Sequence, residues 1–260
     1  MVNSIDRTAL IIPCFIKSET DCKMFERLID SALTQTQRFT YIIVVDDKSP
    51  LQFDYRADEV QYLRLDKNSG PAAARNLGIK YALENNCDYY LFTDHDCILD
   101  KEWNKEMTSF LARTEFGAVG GMTYAWGNTL LDYYHEINGT LAGKWLLPDK
   151  KELWYMPSLN FGMKRHVIEE FPFDERFPTA AGEDVDVCLR LRSKYKIGFC
   201  PRAKLWHDFG YKNTINDFGR FVKLFMKYKS SSATVYEGHT VLMWDSSVSI
   251  YEGNMHESNL

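Results

Sequence analysis

The feature that most constrains the fold is a regular alternation of short apolar runs and amphipathic segments in the first half of the chain. The apolar runs have the composition of buried β-strands, and the segments between them repeat apolar residues at helical spacing. Such an order predicts a parallel sheet covered by helices on both faces. The predicted strands are 8–13, 41–45, 61–65 and 89–93, and the predicted helices are 21–34, with Asp21 as its cap, and 71–84.

Acidic residues follow two of these strands where each strand ends. Asp46 and Asp47 close one strand, and Asp94-His95-Asp96 closes another. Ligands of parallel α/β sheets bind at the carboxyl ends of the strands. Two carboxylates separated by one residue can approach one divalent cation, and oxygen ligands suit Mg²⁺ or Mn²⁺ bridging a diphosphate. Taken alone, D-x-D is as typical of a solvated loop, and the Asp46-Asp47 pair is also typical of a turn.

The stretch NSGPAAARNLG at 68–78 predicts a Gly-Pro turn that leads into a helix with a small-residue face. Small residues allow a close approach of the backbone, and Arg75 near the helix start can meet a phosphate or a site carboxylate. The stretch is not a Walker loop, because the G-x-x-x-x-G-K-[ST] spacing is absent.

A third acidic pair, Glu183 and Asp184, opens a predicted helix at 183–194. Acids are favoured at a helix N-terminus by the helix dipole, which gives the pair a purely structural interpretation. The same dipole keeps a carboxylate ionised, as a general base requires. Either neighbour is therefore a candidate base from the sequence alone.

The composition limits the possible functions. The chain has 260 residues and a net charge of −5, which argues against broad nucleic-acid binding. Its length fits one large α/β domain, alone or with small additions. The six cysteines form no C-x-x-C pair, which favours free thiols in a reducing compartment. No run approaches about 18 apolar residues. We therefore expect a cytoplasmic protein with at most peripheral membrane contact.

The second half has a different composition. Aromatic residues are dense between 122 and 161, where ring faces suit the apolar faces of sugars, although aromatic residues more often pack in a core. The segment 220–229 is basic and amphipathic. Core packing with a solvated basic face is its ordinary interpretation, and weak contact with a membrane surface or a pyrophosphate is the alternative. A helix from about residue 216 is expected to lead into a tail with little patterning.

Taken in order, these motifs resemble the family 2 glycosyltransferases of the GT-A fold. TALIIPCF is similar to the opening strand of that family, YIIVVDDKS to its nucleotide-binding strand and NSGPAAARNLGI to its N-x-G-x-x-x-A-R-N-x-G helix entry. FTDHDC resembles its D-x-D segment, and FDERF followed by GEDVDVCLRL resembles its E-D element. The resemblance covers about residues 8–207, and five motifs in a consistent order are more specific than any one of them.

The resemblance implies a Rossmann-like, mostly parallel central sheet flanked by helices, with a C-terminal helical extension. Residues 1–215 would form the GT-A domain, with a nucleotide-sugar-binding half at 1–121 and an acceptor-binding half at 122–215. Residues 216–260 would form the C-terminal helix and tail. The implied reaction is an inverting transfer from a nucleotide-diphosphate sugar, UDP-linked by expectation, with Mn²⁺ or Mg²⁺.

The resemblance also assigns roles to particular residues. Asp184 would be the general base, with Glu183 beside it, and Asp96 would ligate the metal together with Asp94 and His207. His95 departs from the family pattern, where that position is more often small or acidic. The implied contacts with the nucleotide sugar are Pro13, Asp46, Asp47, Asn68, Gly70, Arg75, Asp94 and His95. The implied acceptor contacts are Trp126, Tyr155 and Phe161.

Two other functions fit parts of the pattern. A sugar-phosphate nucleotidyltransferase is disfavoured because such enzymes usually carry a Gly-rich basic loop after the first strand, and residues 14–20 contain no glycine. A non-catalytic nucleotide-sugar-binding protein would need no base, so the D-x-D and E-D pairs together speak against it. The acceptor stays open among a saccharide, a lipid carrier, a peptide and a small natural product.

Overall fold

The computed structural model describes residues 6–51, 57–137, 147, 149, 151–177, 182–231, 235–236, 239–244 and 247–252, with side chains as far as residue 223. In this part of the chain the dominant feature is a nine-stranded sheet with helices on both faces. Its strands are β1 (Thr8–Cys14), β2 (Tyr41–Asp46), β3 (Val60–Arg64), β4 (Tyr89–Phe92), β5 (Cys97–Leu99), β6 (Ala118–Ala125), β7 (Glu152–Leu153), β8 (Phe161–Lys164) and β9 (Ile197–His207). The helices are α1 (Glu19–Leu33), α2 (Pro71–Glu84), α3 (Trp103–Arg113), α4 (Leu130–Ile137), α5 (Arg165–Glu170), α6 (Glu183–Arg192) and α7 (Ile215–Ser231).

The strand order is β3-β2-β1-β4-β8-β6-β9-β5, with β7 paired to β9. Strands β1 to β4 are parallel, and β8 is antiparallel to both of its neighbours, β4 and β6. Because β6 and β9 are parallel, six of the nine strands run in one direction and β5, β7 and β8 run in the other. The expected mostly parallel sheet is confirmed, and one sheet joins both halves of the domain predicted from the sequence.

Alternate residues of β1 enter two different cores, as a strand buried on both faces requires. Ala9 and Ile11 pack under α2, whereas Leu10 and Ile12 pack under α1 and α3. The final glycine of the 68–78 motif serves this packing, because a Cβ on Gly78 would stand only 2.6 Å from Cγ2 of Ile11.

The observed elements agree closely with the predicted ones, and α2 has the predicted bounds. The start of α1 differs. Its N-cap is Ser18, whose hydroxyl accepts from the Asp21 amide, while the Asp21 carboxylate accepts from the Ser18 amide. Asp21 therefore completes a capping box from the third helical position and is not the cap itself.

The C-terminal region contains the predicted helix, α7, and also strands that the sequence did not predict. β10 (Val235–Tyr236), β11 (His239–Trp244) and β12 (Ser247–Glu252) form an antiparallel three-stranded sheet. The final tail, 253–260, lies outside the described residues. No helix in the described part of the chain combines the length and the hydropathy that a bilayer span requires.

Candidate active site

The D-x-D segment and the E-D pair meet around one buried guanidinium, that of Arg75. Arg75, on the first turns of α2, is 2% exposed. Its Nη1 donates to Glu183 Oε1 and its Nη2 to Asp94 Oδ1, both at 2.9 Å. The guanidinium also lies over the ring of Phe173, with 5.3 Å between its central carbon and the ring centroid. Arg75 therefore joins the predicted helix entry, D-x-D segment and E-D pair.

Asp184 lies next to Glu183 at the start of α6 but faces a different set of groups. Tyr155 donates its hydroxyl to Asp184 Oδ2 at 2.9 Å, and the Ser158 amide donates to the same oxygen at 3.4 Å. Burial and the neighbouring charge of Glu183 raise the pKa of Asp184 to about 7, against the lowering effects of Arg75 and of the hydrogen bonds. Asp184 is half-buried, whereas Glu183 is 4% exposed. Of the two acids, Asp184 is thus the accessible one, with the pKa of a base poised near neutrality.

Asp96 pairs with His207 across two antiparallel strands. The register that sets Cys97 opposite His207 brings Asp96 Oδ1 within 3.3 Å of His207 Nε2. Burial opposes ionisation of both groups, but their mutual attraction outweighs it, so the pKa of Asp96 is lowered and that of His207 is raised. One carboxylate oxygen and one ring nitrogen therefore lie side by side, and Asp96 is two positions after Asp94 in the sequence.

The side chains of Asp96 and His207 are of types that could hold a cation completed by substrate oxygens. Among the described residues, no group of three or more His, Cys, Asp and Glu side chains is close enough to hold an ion by itself. Mg²⁺ is commonly bound through one or two protein groups plus phosphate oxygens and water. Mn²⁺ has a similar ligand preference. The Asp96–His207 pair matches that pattern of donors.

The carboxylates at the end of β2 are engaged within the protein. Asp46 is fully buried, and its partners are the Ser49 amide, the Tyr62 hydroxyl and the guanidinium of Arg64, which the β2–β3 register sets opposite. Its expected contact with a nucleoside has no counterpart in this geometry, because no part of the carboxylate reaches the surface. This ion pair could not be predicted from the sequence, because it depends on strand register.

Asp47 shapes the loop that begins α2. Its carboxylate accepts from Asn68 Nδ2 and Gly70 N at 2.9 Å and from Ser69 N at 2.6 Å. Gly70 has a φ of 89°, a backbone conformation that favours glycine. Burial raises the pKa of Asp47, although the hydrogen bonds from Ser69 and Gly70 lower it. Asp47, Asn68 and Gly70 thus lie together, and the contacts among them organise the turn before Arg75.

The remaining predicted residues lie in different environments. Pro13 is buried in β1 beside the end of β2, and His95 is half-buried between Asp94 and Asp96. Trp126 is 48% exposed and lies beside the Asp96–His207 pair, because its amide donates to the carbonyl of His207 at 2.9 Å.

Two of the expected acceptor contacts need correction. Phe161 is fully buried in β8 at the centre of the sheet, so it presents no surface to an acceptor. Tyr155 is 3% exposed, and its hydroxyl bonds Asp184. Aromatic density could not separate these core rings from a surface ring. Tyr155 is a site residue, but its position is behind the candidate base.

Comparisons with known proteins address the family and the fold of the chain. The family model described as glycosyl transferase family 2 matches residues 9–171, more than half of the chain. A curated relative, the dTDP-rhamnosyl transferase RfbF of Shigella flexneri, is 32% identical over 74 residues, which are 27% of this chain and 25% of the relative. The chain therefore matches about a quarter of that relative's length.

Solved structures share the fold. Residues 1–349 of S. aureus TarS superpose with a TM-score of 0.60 at 18% identity, covering 85% of this chain and 65% of that one. A complex of the same TarS segment with UDP gives 0.59 at 19% identity. GalNAc-T7 with UDP, GalNAc and Mn²⁺ gives 0.60 at 13% identity, covering 85% of this chain and 48% of that one. At these identities the likeness is one of fold.

We predict that Arg75→Met lowers the free energy of unfolding by about 3–5 kcal/mol at neutral pH, because it leaves the buried Glu183 and the partly exposed Asp94 without their guanidinium partner. Part of the loss should be recovered in acid, where those carboxylates protonate. Urea denaturation at several pH values measures both effects.

The matched control is Arg165→Met, which removes an arginine that pairs with Glu169 at the surface. It should cost less than about 1 kcal/mol. Equal losses in the two variants would contradict a central role for Arg75.

Proposed function

The chain belongs to glycosyl transferase family 2, and we propose that it transfers a sugar from a nucleoside-diphosphate donor to an acceptor, with inversion at the anomeric carbon. The observation that carries the proposal is the half-buried Asp184, whose raised pKa suits a base and whose neighbour Glu183 is tied through Arg75 to Asp94 of the D-x-D segment. This arrangement supports a base on one side of a reacting carbon and a diphosphate on the other.

On the donor side we assign Asp96 and His207 to a divalent cation and Asp94 to the ribose and metal side of the nucleotide. A bound divalent cation would neutralise the negative charge that develops on the departing nucleoside diphosphate. Arg75 holds Asp94 in a fixed orientation through a bond to one of its oxygens.

The comparisons support a pyrimidine nucleotide. TarS has been crystallised with UDP, GalNAc-T7 with UDP and Mn²⁺, and RfbF is named a dTDP-rhamnosyl transferase. Carried over to this chain, these partners suggest a UDP- or dTDP-linked donor and favour Mn²⁺ as the first cation to test.

On the acceptor side Asp184 takes the proton from the acceptor group as that group attacks the anomeric carbon. The new glycosidic bond forms on the face opposite the diphosphate, which leaves with the electron pair of the broken bond. Tyr155 and the Ser158 amide donate to Asp184 Oδ2, and the Val185 amide donates to Oδ1 at 2.9 Å, so these bonds orient the carboxylate that we assign to the proton transfer. Trp126, exposed beside His207, is the aromatic side chain that we retain as an acceptor contact.

The function is tested with a panel of UDP- and dTDP-sugars, in which hydrolysis and nucleotide binding are measured with Mn²⁺ and with a chelator. We expect Mn²⁺-dependent hydrolysis of at least one donor. Asp96→Ala should abolish it and weaken nucleoside-diphosphate binding only when Mn²⁺ is present, because the substitution removes a direct ligand. Unchanged Mn²⁺ dependence in Asp96→Ala would refute the metal assignment, and release of a sugar phosphate with a nucleoside monophosphate would indicate a different enzyme class.

We predict that Asp184→Asn lowers the turnover number by roughly 10²–10⁴, the range typical of losing a positioned base. Donor affinity should stay unchanged, because Asp184 acts on the acceptor.

The raised pKa of Asp184 also determines how this residue makes the free energy of unfolding depend on pH. Native Asp184 holds a proton that the unfolded chain loses near pH 4, so its contribution to the free energy of unfolding is present below about pH 4 and is lost as the pH rises through 7. Asp184→Asn should lack this decline, and melting curves across that range measure it.

Glu183→Gln is the control for this prediction. It removes a charged partner of Arg75, so we expect a lower melting temperature and a turnover number that is less affected than in Asp184→Asn. An active Asp184→Asn beside a folded but inactive Glu183→Gln would reverse the assignment of the base.

Tyr155→Phe should shift the rising limb of the turnover–pH profile to higher pH. The Tyr155 hydroxyl lowers the pKa of Asp184 by bonding its ionised form, so removing that hydroxyl raises the pKa further. Turnover at alkaline pH should be largely retained. Tyr195→Phe, which removes a surface hydroxyl bonded to Glu170, should leave the profile in place. An unshifted profile in Tyr155→Phe would show that Tyr155 does not tune the base.

A further inference from the structure

Exposed apolar side chains are concentrated in one region of the molecule. Nine large apolar side chains among those described are exposed, and eight of them lie in residues 126–137 and 215–222. Single exposed apolar residues are ordinary, but a contiguous group marks a contact surface. Six of these residues define what we call the α4–α7 face: Leu130, Tyr133, Ile137, Ile215, Phe218 and Val222.

The two helices that carry this face touch through aromatic rings. Tyr134 of α4 packs edge-on against Phe221 of α7, with 5.1 Å between ring centroids, and Phe221 is 6.5 Å from Phe218. The α4 residues follow helical spacing, so they share one side of the helix, while Asp132 is buried on another. Because the Tyr134–Phe221 contact joins the two helices, we treat their exposed apolar side chains as one surface.

The face is also held firmly from behind. His135 stacks on Phe209 at 4.0 Å with an interplanar angle of 12°, and Phe209 stacks on Tyr211 at 5.5 Å. Arg220 donates to the carbonyls of Phe209 and Gly210. The apolar side chains thus stand on a packed support, and their exposure is a property of the fold.

The α7 side of the face has a charge of the opposite sign to that of the whole chain, whereas α4 carries two acids, the buried Asp132 and the exposed Glu136. The chain carries a net charge of −5, but residues 212–231 hold five lysines and arginines and one aspartate, which is a local charge of +4. Lys223 is exposed one position from Val222 of the face. The single acid, Asp217, is bonded by the amides of Lys212 and Thr214 and by Arg220.

We propose that the α4–α7 face docks onto an anionic lipid surface. Helices that lie in a membrane interface combine exposed apolar residues with lysines and arginines, and anionic headgroups attract the latter. Tyrosines such as Tyr133 suit that boundary, because the ring is apolar and the hydroxyl is polar. A second copy of the chain fits less well, because a twofold contact through this face would bring two +4 segments together. The proposal does not depend on the sugar-transfer reaction.

The test is flotation of the full chain with vesicles of phosphatidylcholine alone and of phosphatidylcholine mixed with phosphatidylglycerol. We expect flotation with the anionic vesicles only, and loss of binding at high salt. Leu130→Ser combined with Ile137→Ser should weaken vesicle binding about tenfold, since both side chains are more than 80% exposed and would lose their apolar contact. Lys223→Glu should weaken it by a similar factor through two units of charge. Lys80→Glu, at an exposed position on α2, is the matched control and should float like the wild type.

Thermal melting confirms that each variant is folded, and Mn²⁺-dependent donor hydrolysis should be unaffected in all of them. A wild-type chain that does not float with anionic vesicles overturns the proposal, as does equal flotation of the Leu130–Ile137 double variant. Light scattering that shows a dimer for the wild type and a monomer for that double variant would assign the face to a second copy.

Discussion

The ion pairs of Arg75 hold the candidate site together. One guanidinium, buried on α2, bonds an acid at the end of β4 and an acid at the start of α6, which are 19 and 108 residues away along the chain. A guanidinium presents several donors in a rigid plane, so a single side chain can fix two carboxylates that belong to different elements. A lysine would supply the charge without this geometry. The site thus depends on a helix entry placing one arginine between the two acidic motifs.

The charge balance around Arg75 explains why Asp184 differs from its neighbours. Arg75 carries one positive charge and lies near three carboxylates, those of Asp94, Glu183 and Asp184. Of these three, Arg75 bonds directly to Asp94 and Glu183. Asp184 is left with neutral donors and next to the negative charge of Glu183, so its pKa rises. The excess of carboxylates costs stability at neutral pH and at the same time creates a basic group there. Carboxylates with perturbed pKa values of this kind are typical of functional sites.

The sequence predicted those parts of the fold that rest on local pattern. The helix Pro71–Glu84 was bounded by its Gly-Pro start, and the acids at strand ends were placed at one edge by the logic of parallel sheets. Features that depend on register or on distant neighbours were missed. They include the antiparallel insertion of β8 between β4 and β6, the pairing of Asp46 with Arg64, and the C-terminal strands. Tyr155 and Phe161 show the same limit, since a ring in a sequence does not reveal whether it faces a core, a carboxylate or water.

The orientation of His207 connects the polar site to the apolar side of the molecule. A histidine that binds a metal is usually oriented by a hydrogen bond from its second ring nitrogen, but His207 Nδ1 is buried without such a partner among the described residues. Its ring instead packs edge-on against Phe209, with 4.3 Å between centroids, and Phe209 stacks on His135 of α4. Aromatic packing thus takes over the positioning that a hydrogen bond would supply. The support that fixes the α4–α7 face is consequently the same support that fixes a candidate metal ligand, so the geometry of the site is tied to the packing of α4 against the segment after β9.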